Sequence, residues 1–362
     1  MSLALSLAEK GCGHVNPNPM VGAVIVKDGR IIGQGYHAAY GELHAERAAL
    51  ASCTESPKGA DLYVTLEPCC HHGKQPPCTD AILEHGIRRV YVGSGDPNPN
   101  VAGKGIQILR DHGIEVIEHV LEAECIRLNE VFFSFIQTRR PYVVMKYAMT
   151  MDGKIATVTG ASRWITGEAA RNHVHESRNR YMAIMVGIGT VLADDPLLSC
   201  RIPGGRNPIR IVCDSHLRIP TESRLVKTAH EIPTILATCE TDSTRQMPYR
   251  QAGCQVLVVP ETSTQQVDLT ALMEALGRQN IDSVLLEGGS TLNWSALQSG
   301  IVQKVQTYLA PKLFGGKSAA GPVSGIGVDL PDNAYRLTIP TVTRLGEDIL
   351  LESEVILCSP AS

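Results

Sequence analysis

The feature that most limits the fold is a break. Thr138-Arg139-Arg140-Pro141 is polar, ends in proline and parts the 362-residue chain into two series, each alternating strand-like and helix-like patterns. At roughly 100–200 residues per domain, the length suits two domains with a core each. The break predicts domains over 1–140 and 141–362. Before it, VGAVIVKDGRIIGQGY reads as two strands joined by Asp28-Gly29, a dipeptide that accepts the positive φ angles of a tight hairpin turn. A helix pattern over 42–52, a strand DLYVTLE, a helix over 79–84, a strand RRVYVGS, a helix GKGIQILRDHG, a strand IEVIEHV and a helix over 123–138 follow. That rhythm predicts a mixed sheet with helices on both faces.

After the break the strands are PYVVMKYAMT, YMAIMVG, IRIVCDS, IPTILAT, QVLVVP and SVLLE, with helices GEAARNHVHESR and DLTALMEALGRQ between them. KVQTYLAP and DILLESEVIL are expected to pair antiparallel at the sheet edge. Both domains are therefore α/β. No internal repeat interrupts them.

Net charge is −4 and aromatic residues are 4% of the chain, which argues against nucleic acid or an anionic membrane as partner. The start, MSLALSLAEKG, lacks the charged and long apolar regions of a signal peptide, and no apolar run is long enough to span a bilayer. A cytoplasmic protein is expected. Eleven cysteines, an odd number, argue against a disulfide framework. Cys12, Cys53, Cys125, Cys213, Cys239, Cys254 and Cys358 stand singly among apolar neighbours and read as core.

Cys69, Cys70 and Cys78 do not. They lie in EPCCHHGKQPPC, a loop-like run, and HAERAAL lies shortly before it. A catalytic zinc takes three nitrogen or sulfur ligands from the protein and leaves a fourth position for water. His44, one of Cys69 or Cys70, and Cys78 make such a set. His44 opens one helix pattern and Cys78 precedes another, and a helix N-terminus favours thiolate over thiol. Glu46, two residues past His44, is placed to face the open position and move protons there. The arrangement is that of zinc-dependent base deaminases, H-x-E followed by P-C-x-x-C, except that eight residues separate Cys69 from Cys78. A closed structural site would instead recruit His71 or His72 as fourth ligand.

In the second domain no G-x-G-x-x-G occurs. LEGGSTLN ends a strand and opens a helix, so its glycines and free N–H groups suit a phosphate. GIGTVLADDP reads as a second strand-to-loop segment, and KYAMTMDGKIA puts Lys146 and Asp152 on or just after a strand.

HVNPNPMVGAVIV, GYHAAYGELHAERAAL, YVTLEPCCHHGKQPPCTDAI and GDPNPNVAGKGI together resemble the bifunctional riboflavin-biosynthesis deaminase–reductase family. KYAMTMDGKIA, SRWIT, GIGTVLADDPLLSCR and LEGGSTLN resemble its second half. The resemblance implies a cytidine-deaminase-like three-layer domain and a dihydrofolate-reductase-like α/β domain. It implies zinc on His44, Cys69 and Cys78, with Glu46 as proton shuttle, and it sets Cys70 aside. The implied substrate is 2,5-diamino-6-ribosylamino-4(3H)-pyrimidinone 5′-phosphate, deaminated first and then reduced by NADPH at the ribosyl group. Cofactor contacts carry over to Ala148, Trp164, Thr190, Asp194 and the run Gly289, Ser290, Thr291, Leu292, Asn293, Trp294 and Ser295. Substrate contacts carry over to Ser162, Arg178, Leu198, Arg201 and Glu287, with Asn16 on the ring edge of the deaminase substrate. His71, His72 and Lys74 are further candidates for its phosphate, and Arg178 and Arg201 for a phosphate in the reductase. Lys146 and Glu287 are expected to polarise or protonate the opened imine. The family implies dimers or tetramers. The competing expectation is a deaminase whose second domain is an inert scaffold.

Overall fold

The computed structural model describes residues 1–71, 75–99 and 101–356, so His72, Lys74 and Cys358 lie outside the described residues. The chain forms two compact units, Met1–Arg139 and Arg140–Ser362, parted within the polar break. No helix among the described residues is long and apolar enough to cross a membrane.

In the first unit, α1 (Ser2–Ala8) and a short 3-10 turn precede β1 (Gly22–Lys27) and β2 (Arg30–Tyr36). Then come α2 (Ala45–Ala51), β3 (Asp61–Leu66), α3 (Cys78–Glu84), β4 (Arg89–Ser94), α4 (Lys104–Asp111), β5 (Glu115–Ile117), α5 (Glu122–Leu128) and α6 (Glu130–Thr138). The sheet runs β2-β1-β3-β4-β5, antiparallel from β2 to β3 and parallel from β3 to β5. Asp28 and Gly29 take φ of 48° and 76°, the left-handed pair that a tight hairpin turn needs. Alternation along β1 makes the layers: Ala23 and Ile25 pack with α2, α3 and α4, while Val24 packs with Ala4 and Leu7 of α1. On β2, Gly33 and Gly35 let α2 come close. A Cβ at Gly35 would lie 2.4 Å from the Ala49 nitrogen, and one at Gly33 would lie 2.5 Å from the Ala49 oxygen.

The helix expected over 123–138 is two helices. Asn129 leaves helical geometry at φ −107°, and its buried amide closes on one residue of the 16–20 segment. It accepts from the Met20 nitrogen at 2.8 Å and donates to the Met20 oxygen at 2.9 Å. A buried backbone pair has thus won over helix continuity.

The second unit contains β6 (Tyr142–Thr150), α7 (Glu168–Arg180), β7 (Ala183–Gly187), α8 (Ile188–Asp194), β8 (Ile209–Cys213), α9 (Arg224–Lys227), β9 (Thr234–Thr238), α10 (Ser243–Gln251) and β10 (Gln255–Val258). It continues with α11 (Leu269–Arg278), β11 (Ser283–Leu286), α12 (Ser290–Gln298), β12 (Val302–Ala310), β13 (Arg336–Leu337), β14 (Thr341–Leu345) and β15 (Asp348–Ile356). The order is β10-β9-β8-β7-β11-β6-β12-β15-β13, with β14 also on β15. Every pair from β10 to β12 is parallel, and β15 is antiparallel to its neighbours. Apolar cores cover both faces, which is why these strands read as near-continuous hydrophobic runs.

Three expectations change here. The pairing of β12 with β15 is antiparallel as expected, but β13 and β14 extend the sheet past it. The stretch 188–194 is a helix and not a loop: Ile188 and Val191, one turn apart, turn inward to the sheet. Of the cysteines read as core, Cys125, Cys213 and Cys254 are buried, whereas Cys12, Cys53 and Cys239 are half-buried.

Candidate active sites

The first site forms where two helix starts meet. His44 is the N-cap of α2 and Cys78 is the first residue of α3. Arg47, on the first turn of α2, donates to the Pro77 oxygen at 2.7 Å and the Pro76 oxygen at 3.2 Å, so the two starts are fastened together. The Nδ1 of His44 lies 3.4 Å from the Sγ of Cys69 and 3.4 Å from the Sγ of Cys78. All three donor atoms fall within 4.8 Å of one another; neither Cys70 nor His71 joins them. The Cys69 sulfur also accepts the Cys78 N–H at 3.4 Å. The hydrogen bond from Cys78 and the nearness of His44 draw the Cys69 thiol down to about 4, while the bond to Cys69 and burial push Cys78 up. A cation among them would let both be thiolates, and one imidazole with two thiolates is a zinc donor set with an open fourth position.

Glu46 is buried beside this set. Burial, and secondly the Cys69 charge, raise its carboxyl to about 7. It lines a cavity of about 330 Å³ together with His37, His44, Glu67, Cys69 and Asp96. Pro17, Asn18 and Pro19 form another part of the wall, as do Asn98, Phe132 and Ile136. Asn16, the expected ring contact, is not on that wall; its neighbour Asn18 is, with its Nδ2 3.2 Å from the Nε2 of His37. His71 reaches the wall, and Cys70 is half-buried outside the donor cluster. His37, Glu67, Asp96 and Arg47 escaped sequence reasoning because their roles depend on folded contacts and not on spacing.

The second site lies toward the C-terminal ends of adjacent parallel strands, the usual ligand edge of an open α/β sheet. Glu287 follows β11 and meets Lys146 of β6, with Oε2 3.5 Å from Nζ. Arg178 of α7 grips the same carboxylate with two bonds, 2.7 Å from Nε and 2.9 Å from Nη2, and donates to the Ser199 oxygen at 3.0 Å. Burial alone would raise Glu287, but the Arg178 and Lys146 charges overcome it and hold the carboxyl at about 2. The Lys146 ammonium also lies 5.5 Å over the ring of fully buried Tyr308, whose hydroxyl is 2.8 Å from the Nδ1 of His173. The Arg178 fork, expected on a phosphate, is closed on Glu287 in this structure. Glu287, expected to polarise or protonate the imine together with Lys146, is gripped by both basic side chains.

The other expected residues fall into groups. Ala148 is two residues beyond Lys146 on β6, so both share a face. Thr190, near the start of α8, meets the glycine turn: a Cβ at Gly289 would lie 3.4 Å from its Oγ1. Gly289 and Ser290 thus open α12 beside α8, two helix starts after adjacent strands β7 and β11. Trp164 is 63% exposed, under the Arg171 guanidinium at 4.8 Å. Asp194 is near this segment, since Arg163 donates to its backbone oxygen at 3.0 Å. Further along α12, Leu292 packs against Gly187, Asn293 donates to the Pro322 oxygen at 2.9 Å, and Trp294 meets Tyr335 edge-to-face. Thr291 accepts from Ser295 within the helix. Ser162 is half-buried, Leu198 is buried at φ 54°, and Arg201 is exposed.

Comparison with known proteins agrees with this division. Residues 1–94 match the model of the cytidine and deoxycytidylate deaminase zinc-binding region, and residues 141–351 match that of the RibD C-terminal domain. The riboflavin biosynthesis protein RibD of Actinobacillus pleuropneumoniae is 53% identical over 98% of this chain and 94% of its own length. That of Escherichia coli K12 is 40% identical over 97% of both. Among solved structures, an Acinetobacter baumannii RibD is similar at a TM-score of 0.87, with 35% identity and 98% of both chains covered. A diaminohydroxyphosphoribosylaminopyrimidine deaminase/5-amino-6-(5-phosphoribosylamino)uracil reductase from Thermotoga maritima matches at a TM-score of 0.84 and 39% identity, over 98% of this chain and 97% of the other. On its sequence, its donor set and these likenesses, the chain belongs to the RibD family of riboflavin biosynthesis proteins.

Proposed function

We propose that the chain works twice on one pyrimidine ribosyl phosphate: zinc-dependent hydrolytic deamination in the first unit, then NADPH-dependent reduction of the ribosyl group to ribityl in the second. The substrate is 2,5-diamino-6-ribosylamino-4(3H)-pyrimidinone 5′-phosphate. The observation that carries the reading is Glu46, a buried carboxyl raised to about 7 on the same helix start as the imidazole of a three-donor cluster. His44, Cys69 and Cys78 would hold the zinc, which would supply Lewis acidity toward water. Glu46 carries a proton to the departing amine, so the ring C–N bond breaks, a C–O bond forms and ammonia leaves. Asn16, Asn18 and His71 are proposed to orient the pyrimidine and its phosphate.

In the second unit NADPH, when bound, would supply a hydride to C1′ of the opened imine. Lys146 holds the proton that completes the reduction, Glu287 orients that lysine, and Arg178 fixes Glu287. Thr190, Asp194, Ala148, Trp164 and the start of α12 are proposed for the cofactor, and Ser162, Leu198 and exposed Arg201 for the substrate. An inert scaffold is disfavoured because Lys146, Glu287 and Arg178 gather as a half-buried charged cluster toward the ligand edge of the sheet, and such a cluster adds little stability of its own. One assay tests both halves. The diaminopyrimidinone phosphate is supplied with and without NADPH and the products are identified by mass. Exchange of one amino group for oxygen is expected without the cofactor, and a further gain of two hydrogens with it. Deamination with no NADPH-dependent product would revive the scaffold.

The same reading includes a cytoplasmic homo-oligomer. The ten cysteines among the described residues are all free, which suits a reducing compartment. Ile339, 95% exposed, and Val342 stand at the β13–β14 edge, and a second copy is the proposed cover. Ile339→Lys is expected to lower the mass seen by sedimentation.

A further inference from the structure

Glu67 follows β3 and immediately precedes Pro68 and Cys69. It is 3% exposed, and its hydrogen-bond partners among the described residues are backbone N–H groups. Its Oε2 accepts from Gly103 at 2.9 Å and from Asp96 at 3.3 Å, and its Oε1 accepts from Ile106 at 3.2 Å. Gly103 is the N-cap of α4 and offers no capping side chain, so a carboxylate from another strand does the capping, at the helix end where the dipole favours negative charge. The contact is tight. A Cβ on Gly105 would lie 2.1 Å from the Pro68 oxygen and 3.3 Å from the Glu67 Oε1. On one side of this carboxylate is the turn that presents Cys69. On the other are Asp96, whose Oδ1 accepts from the Asn98 nitrogen at 2.8 Å, and Asn98 itself, both on the cavity wall.

We propose that Glu67 is a positioning residue for deamination, fixing the metal-binding turn and the Asp96–Asn98 wall in one register by capping α4 across the loop. It rests on the deaminase reading above. A carboxylate is needed because three N–H groups converge on two oxygens; an amide would turn an NH2 toward one or two of them. Shape is preserved in Glu67→Gln, so the change removes acceptors without opening a cavity. Gly105→Ala perturbs the same contact from the other side, by forcing the Pro68 carbonyl and the first turn of α4 apart.

The test uses the full zinc-loaded chain and the diaminopyrimidinone phosphate. In both variants the deamination KM is expected to rise about tenfold, as for the loss of one charge-assisted hydrogen bond, with kcat changed less. Zinc release to a chelator is expected to quicken, while NADPH-dependent reduction of deaminated substrate stays at the wild-type rate. Wild-type KM and zinc release in Glu67→Gln overturn the proposal, even with a lowered melting temperature, because a merely structural cap would move only the latter. Should Gly105→Ala not fold, the isosteric Glu67→Gln decides alone. A wild-type rate in Glu46→Gln would instead count against the deaminase reading, so the two failures are told apart.

Discussion

One buried and one half-buried glutamate set the units apart. Glu46 sits beside sulfur and imidazole and, raised by burial, stands near 7. Glu287 sits between a guanidinium and an ammonium and is held near 2. One can gain and lose a proton at neutral pH; the other is a fixed charge. The residue type says nothing about this. Its partners decide, and each partner arrives from a different element: α2 and α3 around Glu46, α7 and β6 around Glu287. A carboxyl shifted mainly by burial is raised, and one gripped by an arginine and a lysine is lowered.

The contrast can be broken most severely at Glu46. Glu46→Gln is expected to keep its zinc, measured by metal analysis, and to slow deamination about 10³-fold, the scale of general acid–base loss. Reduction should be untouched. A fast Glu46→Gln enzyme would dissolve the distinction. Next in size, Glu287→Ala strands Arg178 and Lys146 without their anion. It should abolish reduction and cost the second unit about 3 kcal/mol in urea unfolding. Gly35→Ala drives a methyl into Ala49 and should cost about 2 kcal/mol in the first unit, with weaker zinc retention. The acid limb is a smaller effect. The folded Glu287 carboxyl is lowered from 4.5 to about 2, so its contribution is fully present above 4.5 and drains away as pH falls toward 2. Glu287→Gln should flatten that part of the reductase stability profile. Smallest is Cys70→Ser. With Cys70 outside the donor cluster, stability should shift by less than about 0.5 kcal/mol and zinc content should not change.

Much of the fold was legible because its signals are local. Asp28-Gly29 dictates its turn, and the alternation in β1 dictates which side chains meet which layer. The metal donors were legible too, since helix starts and soft ligands leave marks in spacing; only the competition between Cys69 and Cys70 needed the fold. What stayed hidden is long-range. Asn129 is unremarkable in sequence, yet it ends a helix to clamp Met20. The Arg178 fork looked free for phosphate until α7 laid it on Glu287. The helix over 188–194 was masked by Gly187 just before it and Gly189 in its first turn, although Ile188 and Val191 already stood one turn apart.

The bare backbone of β2 at Gly33 and Gly35 has a consequence for how this enzyme can vary. Both positions are remote from any reacting atom, yet a single methyl at either would lever the helix bearing His44 and Glu46 off its seat. A saturation screen should therefore find two intolerant sites that touch neither metal nor substrate. Attempts to stiffen the hairpin by filling them should erode turnover before they improve durability.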